Sequence, residues 1–406
     1  MKIRTVVLAV AAAVSISACT AAAPAADDPE PTPTDTAGYD PALLQAALDR
    51  IRDAGVPGAF AEVRYADRVW RGASGVADLS TGSPVQPDMP QRVGSITKTF
   101  TAAAIMQQVE QGRIRLDTPI GDYLPHLVPG ERGRAITVRM LINHTSGLAD
   151  YLPYAFPSLA GAATGDISAA SLDDNRFRRF DPIELIRMGV HAPATGEPGA
   201  QPGVYSNTNY FLLGQLLEQV TGTTTERYIT EHVIERAGLA HTGFPDRPRL
   251  DGPHPRMYEM LYGRIDPPRD YSEYDMSWVG PGAGLVSTMA DLNRFYAALL
   301  AGEIVNAASL EEMRSTVSVI GMDGKPIDYG LGLHRVEFPG CGTFWGHDGT
   351  VFGAATMSLT RADGRRQLSI ATNTVRWNDL DASGRPQPHP IDDALAAFYR
   401  SALCDS

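Results

Sequence analysis

Ser95 and Lys98 are the residues of this sequence best suited to nucleophilic chemistry, because they stand three positions apart at the start of a predicted helix. At that spacing the two side chains share one helix face. The chain has 35 lysines and arginines, and only Lys2, Lys98 and Lys325 are lysines. Arginine stays charged in proteins, whereas a buried lysine can lose its proton. A neutral Lys98 amine could take the Ser95 proton and make the serine a nucleophile, although Ser-x-x-Lys alone is also common at solvated helix ends.

The helix that must position this pair is predicted from Ser95 to Gln111, and Gly112 follows its end. Ser95 would lie at the helix N-terminus, where free backbone amides and the helix dipole favour a developing oxyanion. The other clear helices and strands are predicted over Pro41–Ala54, Gly58–Tyr65, Val69–Gly75, Pro182–Gly189, Thr208–Thr221, Leu331–Glu337, Thr343–His347, Ala354–Leu359, Gln367–Ala371 and Pro390–Leu403.

Strands near both ends with helices between them predict an α/β fold of the α+β type. The sequence indicates one domain over residues 41–406. Both ends of this domain, about 41–130 and 285–406, would form the sheet part, and residues at about 131–284 would form a helical insertion.

The N-terminus indicates an exported protein. Lys2 and Arg4 precede an apolar run that ends at Ala18, too short to span a bilayer and typical of a signal peptide over residues 1–18. The run ends in Ile16-Ser17-Ala18-Cys19, which resembles a bacterial lipobox. Lipidation of Cys19 would anchor the protein to the outer face of the cell membrane, with the Pro/Ala-rich residues 19–40 as a tether. Cleavage after Cys19 would instead release a secreted protein.

Composition excludes several classes of partner and cofactor. The net charge of −12 and the lack of a basic block argue against nucleic acid. No later apolar run is long enough to span a membrane, so membrane contact is expected only through the lipid anchor. The sequence has no His-Glu-x-x-His, no cysteine pair at zinc spacing and no phosphate-binding glycine loop, so neither a metal nor a nucleotide cofactor is expected.

Two further segments supply partners for Ser95 and Lys98: Tyr205-Ser206-Asn207 and His347-Asp348-Gly349-Thr350. Alone, Tyr205 could be a half-buried aromatic residue and His347 a histidine at a strand end. Together, in this order, they resemble the Ser-x-x-Lys, Tyr-x-Asn and His-x-Gly motifs of the serine penicillin-recognising enzymes. The resemblance extends from about Ala59 to the C-terminus. It is greatest to serine-type D-alanyl-D-alanine carboxypeptidases, and class C β-lactamases and related esterases are more distant.

The resemblance implies a β-lactamase/transpeptidase-like fold, with an antiparallel sheet flanked by helices and an all-helical subdomain. It implies that Ser95 is the nucleophile, while Lys98 and Tyr205 share proton transfer and either could be the base. The backbone amides of Ser95 and Thr350 would form the oxyanion hole, and Asn207 would bind the acyl amide of the substrate.

His347, Gly349 and Thr350 would line the substrate, with Gly349 leaving room for a substrate strand to pair at the edge. In an oxidising compartment Cys341 and Cys404 could form a disulfide, which we expect, or remain two buried thiols. The similar carboxypeptidases carry a bridged pair at matching places.

One position departs from the pattern of these carboxypeptidases. Directly after the Gly-Leu-Gly-Leu run they carry an arginine that helps to hold the terminal carboxylate of the substrate. His334 occupies this place here, and Arg335 follows it. Adjacent strand residues face opposite sides, so Arg335 could bind the substrate only after a bulge or a shift in register.

The sequence therefore predicts a cell-envelope DD-carboxypeptidase that acts on peptidoglycan stem peptides ending in D-Ala-D-Ala and is acylated by β-lactams. A class C-like β-lactamase, a D-amino-acid amidase or an esterase acting on another small acyl substrate would share the same chemistry. A non-catalytic module that senses β-lactams or peptidoglycan is a different alternative, and the three intact motifs argue against it.

Overall fold

The computed structural model describes residues 39–164, 167–382 and 384–404. The predicted signal peptide, Cys19 and nearly all of the predicted tether lie outside these residues, so the expectations about export and lipidation stay predictions. Within the described residues no helix combines the length and apolar character needed to cross a membrane.

The strands, in chain order, are β1 Gly58–Tyr65, β2 Arg68–Asp78, β3 Ser83–Pro84, β4 Gln91–Arg92, β5 Gly203–Val204, β6 Tyr258–Glu259, β7 Arg269–Asp270, β8 Val286–Ser287, β9 Val317–Ile320, β10 Pro326–Tyr329, β11 His334–Phe338, β12 Gly342–Val351, β13 Ala354–Arg361, β14 Arg366–Thr372 and β15 Thr374–Val375.

The α-helices are α1 Pro41–Asp53, α2 Thr97–Glu110, α3 Ile120–Tyr123, α4 Gly130–Ala135, α5 Val138–Ile142, α6 Leu152–Ala155, α7 Ala170–Asp174, α8 Pro182–His191, α9 Asn207–Thr221, α10 Thr225–Ile229, α11 Gly280–Ala283, α12 Met289–Leu300, α13 Ala307–Arg314 and α14 Pro390–Leu403. Short 3-10 segments cover Gly94–Ile96 and Pro157–Thr164, and Thr230–Ile234 forms one π turn.

A ten-stranded sheet organises the fold, in the order β3-β2-β1-β14-β13-β12-β11-β10-β9-β5. Its neighbouring strands are antiparallel except at the end, where β5 pairs parallel to β9. β1, from the N-terminal part of the chain, pairs with β14, from the C-terminal part. This arrangement confirms the predicted β-lactamase-like α+β fold, in which both ends of the chain build one sheet.

Helices cover both faces of this sheet. On one face α1 and α14 pack together over β14, where Leu48, Leu368 and Phe398 are fully buried. On the other face α12 packs on β1, β13 and β14. Phe100 of α2 stacks on Phe295 of α12, with 3.7 Å between ring centroids. Because both faces are covered, every residue of the central strand β14 is buried.

The predicted helical insertion, residues 131–284, contains α5 to α11 and also the three two-residue strands β5, β6 and β7. Two strands differ from their predicted bounds in a way that matters for the site. β11 begins at His334 rather than Leu331, because Gly332 adopts φ +76° in a turn that packs against Ala102 of α2. β12 continues past His347 to Val351, so all of His347-Asp348-Gly349-Thr350 lies on one strand.

Cys341 and Cys404 form the predicted disulfide, which joins the turn between β11 and β12 to the end of α14. The bridge closes a loop with a sequence separation of 63 residues. It lies at the end of β12 opposite to Thr350, and nine strand residues span about 30 Å.

We predict that replacing both cysteines with serine lowers the free energy of unfolding by about 2–4 kcal/mol, because the open loop gains entropy in the unfolded chain. Catalytic rate constants should stay within about two-fold, since the bridge is remote from Ser95. Urea denaturation of both proteins, followed by a kinetic assay, measures the two effects. Wild type treated with a reductant is the control and should lose the same stability; equal midpoints for oxidised wild type and the double variant would contradict the prediction.

Candidate active site

Ser95 lies in the 3-10 turn Gly94–Ile96, immediately before α2. Gly94 adopts φ +57°, a conformation that residues with a Cβ rarely adopt. The Thr97 hydroxyl donates to the Gly94 carbonyl at 2.7 Å and accepts from the Leu285 amide at 3.1 Å. The turn is therefore held from two sides, which fixes the direction of the serine side chain.

β12 packs directly against this turn, and the contact requires glycine on both sides. A Cβ on Gly349 would lie 1.9 Å from the Val93 carbonyl oxygen, and one on Gly94 would lie 2.5 Å from the Thr350 nitrogen. The amides of Ser95 and Thr350, predicted to form the oxyanion hole, thus belong to two backbone segments in mutual contact. The space left by Gly349 is taken by the protein's own turn, and not by a substrate strand as predicted from the sequence.

Lys98 has 0% exposed surface and forms three hydrogen bonds. Its Nζ lies 3.1 Å from Ser95 Oγ, 2.7 Å from Asn207 Oδ1 and 2.9 Å from the Gly282 carbonyl oxygen. Burial lowers the pKa of Lys98 to about 7, while the charges of Asp150 and Asp348 act to raise it. The amine is therefore substantially neutral at physiological pH and within reach of the serine proton, as a general base must be.

Tyr205 follows β5, and its amide donates to the Ile320 carbonyl at 3.0 Å. The Lys98 nitrogen lies 5.0 Å from the centre of its ring. Burial raises the pKa of Tyr205 well above its ordinary value, although its interaction with the Ser95 hydroxyl acts to lower it. Tyr205 stays protonated where Lys98 is partly neutral, which favours Lys98 as the base and Tyr205 as a proton donor. Its buried hydroxyl has no hydrogen-bond partner of good geometry among the described residues.

Asn207 is the first residue of α9 and is oriented by Asp150, which the sequence analysis did not single out. Asp150 Oδ2 accepts from the Asn207 backbone amide at 2.9 Å and from its Nδ2 at 2.7 Å. This pairing turns the Asn207 side-chain oxygen towards Lys98 and still leaves one Nδ2 hydrogen for a substrate carbonyl. Burial raises the pKa of Asp150. The one feature of the sequence that could have pointed to Asp150 is its place just after the Gly147-Leu148 turn, in a stretch with no clear periodicity.

His144 is a second positioning residue that the sequence analysis did not assign. Its ring stacks on Tyr205, with 4.0 Å between centroids, and its Nδ1 accepts from the Ser206 amide at 3.2 Å. Burial lowers the pKa of His144 well below its ordinary value, so the ring stays neutral. His144 therefore supports the Tyr205 ring without adding charge.

His347 lies on β12 with its Nε2 3.0 Å from the Tyr329 hydroxyl. Its Nδ1 is 2.5 Å from the Asp348 carbonyl oxygen, and its ring centroid is 4.1 Å from that of His334. Burial lowers the pKa of both histidines. The predicted site residue His347 is thus a buried, neutral group in a hydrogen-bonded network and not an exposed cation.

Among the predicted catalytic and substrate-binding residues, all of which the structure describes, only Arg335 is not brought to this cluster. Its guanidinium pairs with Asp328, at 3.3 Å, and with Glu337. β11 carries no bulge here, since His334 pairs with Gly346 and Arg335 with Trp345 in regular register. Because consecutive strand residues face opposite sides, His334 contacts Tyr329 and His347 while Arg335 lies with the acidic pair.

This geometry agrees with the sequence comparisons, in which the beta-lactamase family matches residues 42–389 of the chain. The chain belongs to the beta-lactamase family. It is a serine hydrolase of the superfamily that includes the penicillin-binding proteins.

Individual members of the family are similar to this chain at modest identity. A penicillin-binding protein of Bacillus subtilis (strain 168) is 26% identical over 76% of this chain and 66% of its own length. Esterase EstB of Burkholderia gladioli is 31% identical over 50% of this chain and 53% of its own length. The chain thus spans about half to two thirds of these relatives. The crystal structure of a D-stereospecific amidohydrolase from Streptomyces sp. has a TM-score of 0.75 and 31% identity, covering 90% of this chain and 99% of that one.

We predict that kcat/KM of this family member rises with pH through an apparent pKa near 7, because only the neutral Lys98 amine can accept the serine proton. Lys98→Arg should lower kcat/KM by about 1,000-fold or more, since an arginine stays protonated. Hydrolysis of one chromogenic ester between pH 5 and 9 gives both values. Lys325→Arg is the matched control and should keep the wild-type profile; a flat profile for the wild type would contradict the role of Lys98.

For Asp150→Asn we predict a loss of roughly 10- to 100-fold in kcat/KM, the cost of one charge-assisted hydrogen bond that orients Asn207. The acidic limb of the pH profile should also move to lower pH, because Asp150 raises the pKa of Lys98 and its removal lets the amine lose its proton sooner. The kcat/KM of the variant is measured across pH, after circular dichroism has shown that the variant and the wild type have the same folded fraction. A lower rate with an unmoved acidic limb would assign Asp150 a merely structural role.

Proposed function

We propose that this chain hydrolyses amide bonds through an acyl-enzyme on Ser95, and that it acts on amides of D-amino acids and on short D-amino-acid peptides whose C-terminus is amidated. The observation that carries the proposal is the charge around Ser95. Lys98 is the only cationic group among the active-site residues described above. The charges that act to raise its pKa belong to Asp150 and Asp348.

The reaction follows from the distances at the site. The neutral Lys98 amine takes the Ser95 proton across 3.1 Å as the serine oxygen attacks the substrate carbonyl carbon. The resulting oxyanion faces the amides of Ser95 and Thr350, each such donor contributing about 3–4 kcal/mol in other enzymes. Tyr205 delivers a proton to the leaving amine as the C–N bond breaks, which leaves Tyr205 as a phenolate and Lys98 as an ammonium. Water then attacks the acyl-enzyme and gives its proton to Tyr205, and Lys98 returns a proton to the Ser95 oxygen as the acyl group leaves.

The preference for an uncharged leaving group rests on His334, on Arg335 and on the two acidic partners of Arg335. His334 occupies the place of the carboxylate-binding arginine, and burial keeps this histidine neutral by lowering its pKa. Arg335 is engaged by Asp328 and Glu337. A terminal carboxylate would therefore lie near acidic groups without a guanidinium to pair with, which costs affinity. An amide or ester in its place would carry no such penalty.

The D-stereospecific amidohydrolase from Streptomyces supports this choice, since the likeness extends over nearly the whole of both chains. The choice of D-amino acids rests on this similarity and on the family motifs.

D-Ala-D-Ala carboxypeptidase activity, the expectation from sequence, is the second candidate, favoured by the likeness to a penicillin-binding protein. Its substrate would be the peptidoglycan stem peptide, and β-lactams would acylate Ser95 and be released slowly. Export, with a lipid anchor at Cys19 or as a secreted protein, would place the enzyme next to that substrate. The same acyl chemistry would also permit ester hydrolysis.

A matched pair of substrates separates the two candidates: N-acetyl-D-Ala-D-Ala as the free acid and as its C-terminal amide. We expect kcat/KM for the amide to be at least ten-fold higher, equivalent to about 1.4 kcal/mol. Both assays contain EDTA, so that no metal ion from the solution can add positive charge near the substrate carboxylate. The L-Ala-L-Ala amide tests stereospecificity.

Ser95→Ala is the control for this experiment and should abolish both activities and the labelling by a fluorescent penicillin. A ten-fold preference for the free acid would overturn the amidase proposal in favour of the carboxypeptidase. Undiminished hydrolysis by Ser95→Ala would overturn both.

A further inference from the structure

The turn that follows the strand carrying Thr350 is held by contacts from outside its own sheet. β12 and β13 are joined by only two residues, Phe352 and Gly353. The favoured two-residue turns between antiparallel strands have a positive φ at their first residue. Gly353 adopts φ +76°, whereas Phe352 does not adopt a positive φ. The turn is therefore not of the kind that fixes its own geometry, and residues from elsewhere in the chain must fix it.

Glu259 of β6 makes the first of these contacts. The side chain is fully buried, and its Oε2 accepts from the Gly353 amide at 3.1 Å. The same oxygen accepts from the Arg376 guanidinium at 2.5 Å, and Oε1 accepts from the Leu261 amide at 2.9 Å. Burial raises the pKa of Glu259, and the charge of Arg376 acts to lower it. A buried carboxylate that is distant in sequence thus holds the amide of the turn.

Arg376 makes the second contact. Its guanidinium carbon lies 5.5 Å from the centre of the Phe352 ring, and the residue is buried. Arg376 directly follows β15, where Val375 pairs with Glu259 of the parallel strand β6. Both strands belong to a small three-stranded sheet, separate from the ten-stranded one. The two residues of the turn therefore each have a partner in the same buried ion pair.

The backbone around this ion pair adopts an uncommon conformation. Among the described residues other than glycine, five adopt a positive φ, and three of these five are Leu261, Tyr262 and Arg376. The Tyr262 amide donates to the Arg376 carbonyl at 2.7 Å, which joins the two segments. Backbone of this kind costs free energy and is concentrated at functional sites. Its presence here favours a role in the active site over simple stabilisation of the fold.

The turn connects the ion pair to the active site in two directions. Thr350 lies on β12, two positions before Phe352. Phe352 stacks on Trp278, with 4.6 Å between ring centroids. Trp278 lies two positions before α11, whose Gly282 carbonyl accepts from Lys98 at 2.9 Å. Movement of the turn would therefore shift the Thr350 amide and disturb the segment that holds Lys98.

We propose that Glu259 and Arg376 are positioning residues for the predicted oxyanion hole, because they hold the turn that keeps the Thr350 amide in place. An oxyanion forms in both acylation and deacylation, so loss of the ion pair should slow the two steps by similar factors. Such a loss lowers kcat and leaves KM nearly unchanged. The inference rests on the acyl-enzyme of the proposed function, and it holds whether the substrate is an amide or an ester.

Glu259→Gln tests the inference, with a chromogenic ester as the substrate. We expect kcat to fall about ten-fold or more with KM within about two-fold, since loss of a whole oxyanion donor costs roughly 100- to 1,000-fold. An arylboronic acid is the second probe. Its boron forms a bond to Ser95 Oγ, the serine proton passes to Lys98, and the tetrahedral, anionic adduct resembles the oxyanion intermediate. Its inhibition constant should rise by about the factor by which kcat falls.

Glu62→Gln is the matched control. Glu62 is also buried and paired with two arginines, Arg64 at 2.6 Å and Arg71 at 2.7 Å. It lies on β1, which β14 and β13 separate from β12. This variant should lose stability in thermal unfolding and keep the wild-type kcat and inhibition constant. Arg376→Lys retains the positive charge without the planar guanidinium, so both constants should change in the same direction as in Glu259→Gln, by a smaller factor.

Wild-type kcat in folded Glu259→Gln would overturn the inference, and so would a fall in kcat without a rise in the inhibition constant. Circular dichroism establishes the folded fraction of each variant. Should Glu259→Gln fail to fold, Arg376→Lys decides by the same two measurements, and wild-type values in it would overturn the inference. Failure of the proposed function gives a different result, namely hydrolysis and boronate inhibition that persist in Ser95→Ala.

Discussion

The burial of one lysine is the constraint on which the active site depends. Lys98 is excluded from solvent and held by the Ser95 hydroxyl, the Asn207 side chain and the Gly282 carbonyl. Loss of solvation destabilises the ammonium, and the nearby carboxylates only partly offset this effect, so the pKa falls to about 7. Each acceptor comes from a different part of the chain, so the chemistry of the amine exists only when α2, α9 and α11 are packed together.

The second requirement is the contact between backbone segments at Gly94 and Gly349. The predicted oxyanion hole combines one amide from the turn before α2 with one from β12. A Cβ at Gly94 or at Gly349 would clash with the backbone of the other segment and keep the two apart. β12 is held in turn by its two neighbours in the sheet, β11 and β13. The rigidity of a central sheet strand is thereby transmitted to the position of the Ser95 amide, as electrostatic preorganisation requires.

Many of the helices and strands could be predicted from the sequence, because the patterns that indicate them extend over only a few neighbouring residues. The helices from Pro41 and Pro390, with proline in the first turn, and the alternating strands near the C-terminus were predicted within a few residues of their observed bounds. The Gly332 turn was mistaken for strand, because its conformation depends on packing against α2. Residues 150–180 show no clear periodicity in the sequence, because the helices α6 and α7 described there are only 4 and 5 residues long, too short for a repeating pattern, and the 3-10 segment Pro157–Thr164 lies between them.

The sequence by itself predicted Ser95 as the nucleophile with Lys98 beside it, because the two are neighbours on one helical turn and their spacing is a local property, but it left open whether Lys98 or Tyr205 is the base. It also determined the identity of the other motifs, which are short and ordered along the chain. Only the tertiary structure decided that Asp150 orients Asn207, that Arg335 pairs with acids away from the site, and that His334 faces His347. These three sets of contacts depend on which strands pair with each other and on which part of the chain a loop packs against. Such contacts join residues that are distant in sequence, and they arise only when the chain is packed.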